Sequence, residues 1–275
     1  MATSEAPVGE VTVTQRLLAS ASERGGQRAL AGGADGQVYS YAGLAATVQA
    51  AAAGLAWRGL QPGDVVGVYV ADVVSHVLAT HAIRAAGGVP APVSPDLPVA
   101  EIAGQLAECS ARMLLTAPPH VAAALDAADR SWVRQVISFS EAIGTTLFSA
   151  LLGMGSLRPT GGKAHDLALL PFARQADGTL RSVAVTHVEL ASELSQLAAE
   201  AGITERDVVL AAPPAGDGRA YAAFIDNALL HGATIIATRA DDLAAAVGAQ
   251  HGTAVIAPFG IDIGAPEPMR VFAVA

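Results

Sequence analysis

Short apolar runs rich in valine and isoleucine alternate along this chain with longer stretches whose apolar residues recur at helical spacing. Residues 64–70 (DVVGVYV) read as a buried strand, because the run is short, β-branched and preceded by the LQPGD turn. Residues 89–93, 112–116 and 136–139 repeat that reading. Between them lie helical patterns. One covers 15–25, and a second runs from Tyr41 to about Gly59 behind Ser40 as its cap. A third, SHVLATHAIRAAGG, ends on glycine. A fourth opens at Pro95-Asp96-Leu97-Pro98 and runs through Cys109, and a fifth covers 119–128.

A glycine-rich stretch without either period follows, and the alternation then resumes. Residues 167–172 and 183–185 pattern as two strands of a hairpin. Thr186 and Glu189 have capping-box spacing for a helix to about Ala201. Strands are expected at 208–212, 234–238 and 254–257, helices at 221–230 and 241–250, and a final strand in MRVFAVA. Alternating strands and helices give an α/β fold with mostly parallel sheets covered on both faces. The expected organisation is two similar layered βαβ subdomains, 1–155 and 166–275, joined by a linker at 156–165.

Composition sharpens this. The chain is 52% hydrophobic but only 4% aromatic, so its core must be built from small aliphatic side chains packed closely. A net charge of −9 argues against nonspecific nucleic-acid binding, which needs a basic footprint. Cys109 is the single cysteine, which excludes an intramolecular disulfide and a thiolate metal cluster. The first residues lack a basic start and an apolar signal region, and no apolar run reaches membrane-spanning length. A soluble cytoplasmic protein is therefore expected, with no membrane and no nucleic-acid partner. A mean hydropathy of +0.43 favours a protein partner or a homodimer.

Most chemical candidates reduce to structure. His76 and His81 are five apart on one helix, so they do not align as two ligands on a face and read as ordinary helix residues. His165-Asp166 reads as a solvated pair, and His187, His231 and His251 are isolated. Gly161-Gly162-Lys163 lacks the rest of a phosphate-binding loop, and no G-x-S-x-G elbow exists. Cys109 reads as core. Neither a catalytic residue nor a metal-ligand set emerges.

Three stretches together resemble a known family. Residues 39–98 (YSYAGLAATVQ through PVSPDLP), AECSARMLLT and HGATIIATRADDLAAAVGAQHGTAVIAP resemble, in order and spacing, the adenylate-forming enzymes: acyl-CoA synthetases, luciferases and peptide-synthetase adenylation domains. That family holds ATP phosphates in a Ser/Thr/Gly-rich loop ending in Pro-Lys-Gly, followed by a strand and Thr-His. Here the frame is present as Leu170-Pro171-Phe172 before the loop and Val183 and Thr186-His187 after it. The contents differ: Ala173-Arg174-Gln175-Ala176-Asp177-Gly178, then Thr179-Leu180-Arg181-Ser182.

The remnant residues of the nucleotide loop are thus Arg174, Asp177, Gly178, Thr179, Arg181 and Thr186. Two readings stand. Asp177-Gly178 is a strong hairpin-turn dipeptide. Arg174 and Arg181 could instead make a retuned anion site. Tyr221 either lines a pocket, where the family places acyl-site aromatics, or packs in the core. The family histidine near that position has no counterpart.

Relatives continue well beyond the position of Ala275, with further adenine, magnesium and ribose contacts and a mobile lysine-bearing domain. The resemblance therefore implies a second subdomain that is incomplete and a protein without adenylating activity on its own, acting by binding a partner or small ligand. A protein partner or second copy would then cover the open edge. The alternative is half of a split ATP-dependent ligase completed by a second polypeptide. ATP or AMP with magnesium is the only cofactor the resemblance offers.

Overall fold

The computed structural model describes residues 11–32, 36–155, 163, 165–213, 218–258 and 269–274. The first half contains α1 (Val13–Arg24), β1 (Arg28–Gly32), β2 (Gln37–Ser40), α2 (Tyr41–Trp57), β3 (Val65–Tyr69) and α3 (Val73–Ala85). It continues with β4 (Val89–Pro92), α4 (Val99–Glu108), β5 (Met113–Thr116), α5 (Val121–Asp129), β6 (Gln135–Ser138) and β7 (Thr146–Leu147). The second half contains β8 (Leu167–Leu169), β9 (Phe172–Arg174), β10 (Leu180–Ser182), β11 (Val185–Thr186) and α6 (His187–Ala201). Then come β12 (Val208–Ala211), α7 (Gly218–Leu230), β13 (Thr234–Ala237), α8 (Leu243–Ala249), β14 (Ala254–Pro258) and β15 (Arg270–Val274).

The fold is α/β with mostly parallel sheets. One sheet runs β4-β3-β5-β6-β7, entirely parallel. The other runs β15-β14-β12-β13-β1-β2, parallel except for β2 at its edge. Within each, four successive strands take the same order: second, first, third, fourth. That shared doubly wound order is the physical content of the similarity between the two halves.

The sheets do not follow the chain boundaries of 1–155 and 166–275. β1 and β2 come from the first segment but extend the second sheet through Leu30↔Ile235 and Ala31↔Ile236. One apolar core includes Val66 and Val68 of β3 together with Val209, Ala211 and Ile235 of the other sheet. Leu44 and Val48 of α2, Val77 and Ile83 of α3 and Ile225 of α7 belong to the same core. The two halves therefore share their packing. The linker expected at 156–165 lies outside the described residues except for Lys163 and His165. No described helix is long and apolar enough to cross a membrane.

Small residues permit this close packing. A Cβ on Gly54 of α2 would stand 2.5 Å from the Leu151 carbonyl oxygen, a distance no side chain tolerates. Caps fix the helix starts. Ser40 accepts the Gly43 N–H at 3.1 Å, and Asp72 accepts that of Ser75 at 2.8 Å. The helix expected at 241–250 is a 3-10 turn over Ala240–Asp242 that runs into α8.

The Thr186–Glu189 capping box forms as its spacing predicts. Thr186 Oγ1 accepts the Glu189 N–H at 3.3 Å, and Glu189 Oε2 accepts the Thr186 N–H at 2.8 Å. Thr186→Ala is expected to cost about 1 kcal/mol and lower the melting midpoint by about 2–4 °C. Thr186→Ser should retain most of that, and urea unfolding of both variants checks it.

Candidate functional site

The 169–187 segment is a hairpin in two ladders. β8 pairs antiparallel with β11, and β9 pairs antiparallel with β10. The tip closes on itself. The Gln175 N–H donates to Thr179 O at 2.7 Å, and the Gly178 N–H donates to Gln175 O at 2.9 Å. Gly178 sits at φ +83°, in the region that glycine enters freely. Asp177 Oδ1 accepts the Thr179 N–H at 2.9 Å and its hydroxyl at 2.6 Å. Those two bonds, the hydroxyl's first, hold the carboxyl below its usual range.

The two loop arginines do not converge. Register sets Arg174 opposite Leu180, and Arg181 opposite Ala173, so their side chains leave opposite faces of the ribbon. Arg174 Nη1 donates to Gly178 O at 2.6 Å, and its Nη2 lies 3.8 Å from Glu101. Arg181 Nη1 lies 3.7 Å from Glu108 Oε2. Glu108 Oε1 also accepts the Ser182 N–H at 2.8 Å and its hydroxyl at 3.0 Å. These exposed pairs hold the ribbon against α4 at little energetic gain.

Thr186 is committed to its cap. Tyr221 is buried, donates its hydroxyl to Ala212 O at 2.9 Å, and meets His76 edge-on at 5.2 Å between ring centres. Burial pushes its phenol well above the usual range. It packs in the core and does not line the cavity beside the hairpin. The stretch before it, 214–217, lies outside the described residues.

That cavity, about 510 Å³, opens beyond the carboxyl ends of β3 and β4 and against the hairpin. Open α/β sheets present ligand sites at such strand ends. Val70, Val93, Leu97 and Phe172 give it an apolar wall, and His76, Gln105, Arg174 and Arg219 bring polar groups. A second cavity of about 410 Å³ lies where β3, β5, β6, β12 and β13 end, with Asp72, Ser140, Thr238 and Arg239 in its lining.

His76 and His81 are not ordinary helix residues, contrary to the spacing argument. Helical spacing reports only neighbours on the same helix, and their partners come from elsewhere. His81 Nε2 lies 3.2 Å from Asp226 Oδ1, and its Nδ1 lies 2.9 Å from the Thr14 hydroxyl. Arg84 Nη1 donates to Asp226 Oδ2 at 2.7 Å, and Arg84 Nε donates to Ala168 O at 2.9 Å. This buried network joins α1, α3, α7 and the root of the hairpin. Burial disfavours the charged carboxylate of Asp226, yet Arg84 and His81 outweigh it and hold the carboxyl far below its usual range. Burial lowers the His76 imidazole to about 4, so it faces the cavity as a neutral ring.

Gln105 is buried with its Oε1 unpartnered, and no sequence signal marked it. Cys109 is buried and its thiol is pushed up to about 11, an inert core position. Among the described residues no cluster of three or more His, Cys, Asp or Glu could hold a metal ion.

Comparison with known proteins gives a consistent picture. Residues 17–257 match the AMP-binding enzyme family. The chain is 26% identical over 177 residues to 4-coumarate–CoA ligase 2 of Nicotiana tabacum, covering 64% of this chain and 33% of that protein. Over 81 residues it is 38% identical to tyrocidine synthase 3 of Brevibacillus parabrevis, covering 30% of this chain and 1% of that protein. A long-chain-fatty-acid–CoA ligase from Archaeoglobus fulgidus superposes with a TM-score of 0.81 at 17% identity, over 94% of this chain and 54% of that one. MbtA of Mycobacterium smegmatis superposes at 0.79 with 23% identity, over 90% and 48%. The chain thus spans about a third of the tobacco ligase and about half of these solved proteins.

Proposed function

The chain belongs to the AMP-binding enzyme family, and from that premise we propose that it binds a small apolar acid without gripping ATP at the family's phosphate loop. The carrying observation is the self-satisfied hairpin tip. A phosphate cradle needs free backbone N–H groups and glycines that let the backbone approach. Here the N–H groups of Gln175, Gly178 and Thr179 are spent within the loop. Asp177 adds a carboxylate at the tip. Its negative charge opposes a phosphate there, although solvent screens the repulsion at so exposed a tip. Arg174 donates to the Gly178 carbonyl and stands beside Glu101, and Arg181 stands beside Glu108, so both guanidiniums already face other oxygens. The residues present do not fit a nucleotide phosphate, and no adenylation step is assigned to this loop.

The 510 Å³ cavity supports the ligand half of the reading, since its size falls within the range of small-molecule sites. The names of the relatives point to carboxylic acids, 4-coumarate and long-chain fatty acids. Leu97, Phe172 and Leu180 suit the apolar part of such a molecule.

A thermal-shift titration checked by calorimetry tests this. A ligand at 100 times its dissociation constant adds about 2.7 kcal/mol and raises the midpoint by several degrees. Mg-ATP and AMP at millimolar concentration are expected to give no shift, while 4-coumarate or a fatty acid gives a saturable one. A saturable ATP shift that disappears in Arg181→Ala would overturn the reading and favour a nucleotide-holding half of a ligase.

A further inference from the structure

The amino ends of β3, β5 and β6, opposite the 510 Å³ and 410 Å³ cavities, carry a further, basic surface. Arg58 follows α2, Arg112 precedes β5 and Arg134 precedes β6. Backbone contacts hold the three together. The Arg134 N–H donates to Arg112 O at 2.9 Å, and Gln135 Nε2 donates to Arg58 O at 3.2 Å. All three arginines line one small depression of about 150 Å³. A wider groove of about 430 Å³ adds Trp57, Gly144 and Thr146 to Arg58 and Arg134.

Three features distinguish this surface. First, none of the three arginines has a carboxylate within ion-pair distance among the described residues, which is also true of Arg16, Arg24, Arg28 and Arg206, but these three line one depression. Asp64, the acid that lines the same depression, accepts the Gln61 N–H at 2.9 Å. Second, this concentration of unpaired positive charge stands on a protein of net charge −9. Third, Trp57 lines the wider groove, and both tryptophans of the chain are exposed. Trp57 is 69% exposed with Arg58 stacked at 5.9 Å, and Trp132, two residues before Arg134, is 66% exposed. Tryptophan and arginine are the residues most enriched among those that dominate protein interfaces.

We propose that this face docks an acidic segment of a partner protein. Guanidinium forks take carboxylates bidentately, and an exposed indole supplies apolar area beside them. A symmetric dimer of this chain through the same face would set the arginines against their own copies, so the partner is a different, carboxylate-rich surface. This face is independent of whatever occupies the cavities at the other end of the sheet.

Intrinsic fluorescence reads this directly, because Trp57 lies in the groove beside Arg58. The probe is a deca-glutamate peptide, titrated into the full chain at low and at high salt, with tripolyphosphate as a parallel arm. The expected result is a saturable change in tryptophan emission, weakened at least about tenfold by the pair Arg112→Glu and Arg134→Glu and by high salt. Arg16→Glu, an exposed cation on α1, should leave it unchanged. Melting curves confirm that the variants stay folded. No saturable change with the peptide overturns the proposal, as does binding that survives the double reversal. Binding of tripolyphosphate without the peptide also overturns it, since the face would then be a small-anion site.

Discussion

Asp226→Ala is expected to destabilise the protein by about 3–5 kcal/mol, a large share of what a single domain has in hand. Asp226 is 2% exposed and accepts from Arg84 and from His81. Arg84 is itself fully enclosed, with its Nη2 already unpartnered. Removing the carboxylate strands that guanidinium in the core with a single remaining bond, to the Ala168 carbonyl. It also takes the acceptor from His81, whose other nitrogen meets Thr14. The loss therefore spreads to α1, α3, α7 and β8 together. Asp226→Asn keeps the shape and should fall between wild type and alanine. The double change Arg84→Met with Asp226→Leu removes both charges and should recover most of the stability, because a buried ion pair gains little over well-packed apolar residues. Equilibrium urea unfolding of the four proteins orders them. A loss under about 1 kcal/mol for Asp226→Ala would show that the network does not anchor the fold.

That network also shows where the sequence stops being legible. The alternation of strands and helices could be read because buried parallel strands such as Val65–Tyr69 are unbroken β-branched runs between turn residues. The hairpin at 169–187 and the start of α6 could be read because Asp-Gly and Thr-x-x-Glu act within a few residues. β1 could not. Arg28-Ala29-Leu30-Ala31-Gly32 has no alternation and little β-preference, and it is a strand because β13 and β2 hydrogen-bond to it. Arg84 and Asp226 are 142 residues apart, and neither carries a local sign of the other. The cavity residues share that limit. Gln105 and His76 look like any polar residues on apolar helices until the fold sets both beside the hairpin. The family resemblance located the loop, but only the register showed that Arg174 and Arg181 diverge.

Two buried histidines should make the protein lose stability on mild acidification. Burial lowers His76 and His187 from 6.5 to about 4 each. Arg84 adds to the lowering at both, while Asp226 opposes it at both and Asp166 opposes it at His187. Above about pH 7 both rings are neutral in the folded and unfolded chain and contribute nothing to pH dependence. As pH falls through 6.5 the unfolded chain takes up two protons that the native state refuses, so the unfolded state gains. The loss grows until the native rings protonate near pH 4. Each proton contributes up to about 1.4 kcal/mol per pH unit, so His76 alone accounts for a loss on the order of 3 kcal/mol. His187 opens α6 nearer the surface, and its share is smaller. Asp226 acts in the next window: its depressed carboxyl stabilises the fold above its ordinary 3.8, and that stabilisation drains away only at lower pH. Urea midpoints measured from pH 7.5 to 4.5 should therefore fall continuously. His76→Phe keeps a ring against Tyr221 and removes about one proton from the slope. A flat profile over that range would mean that water reaches both imidazoles. A slope unchanged by His76→Phe would assign the proton uptake to other groups.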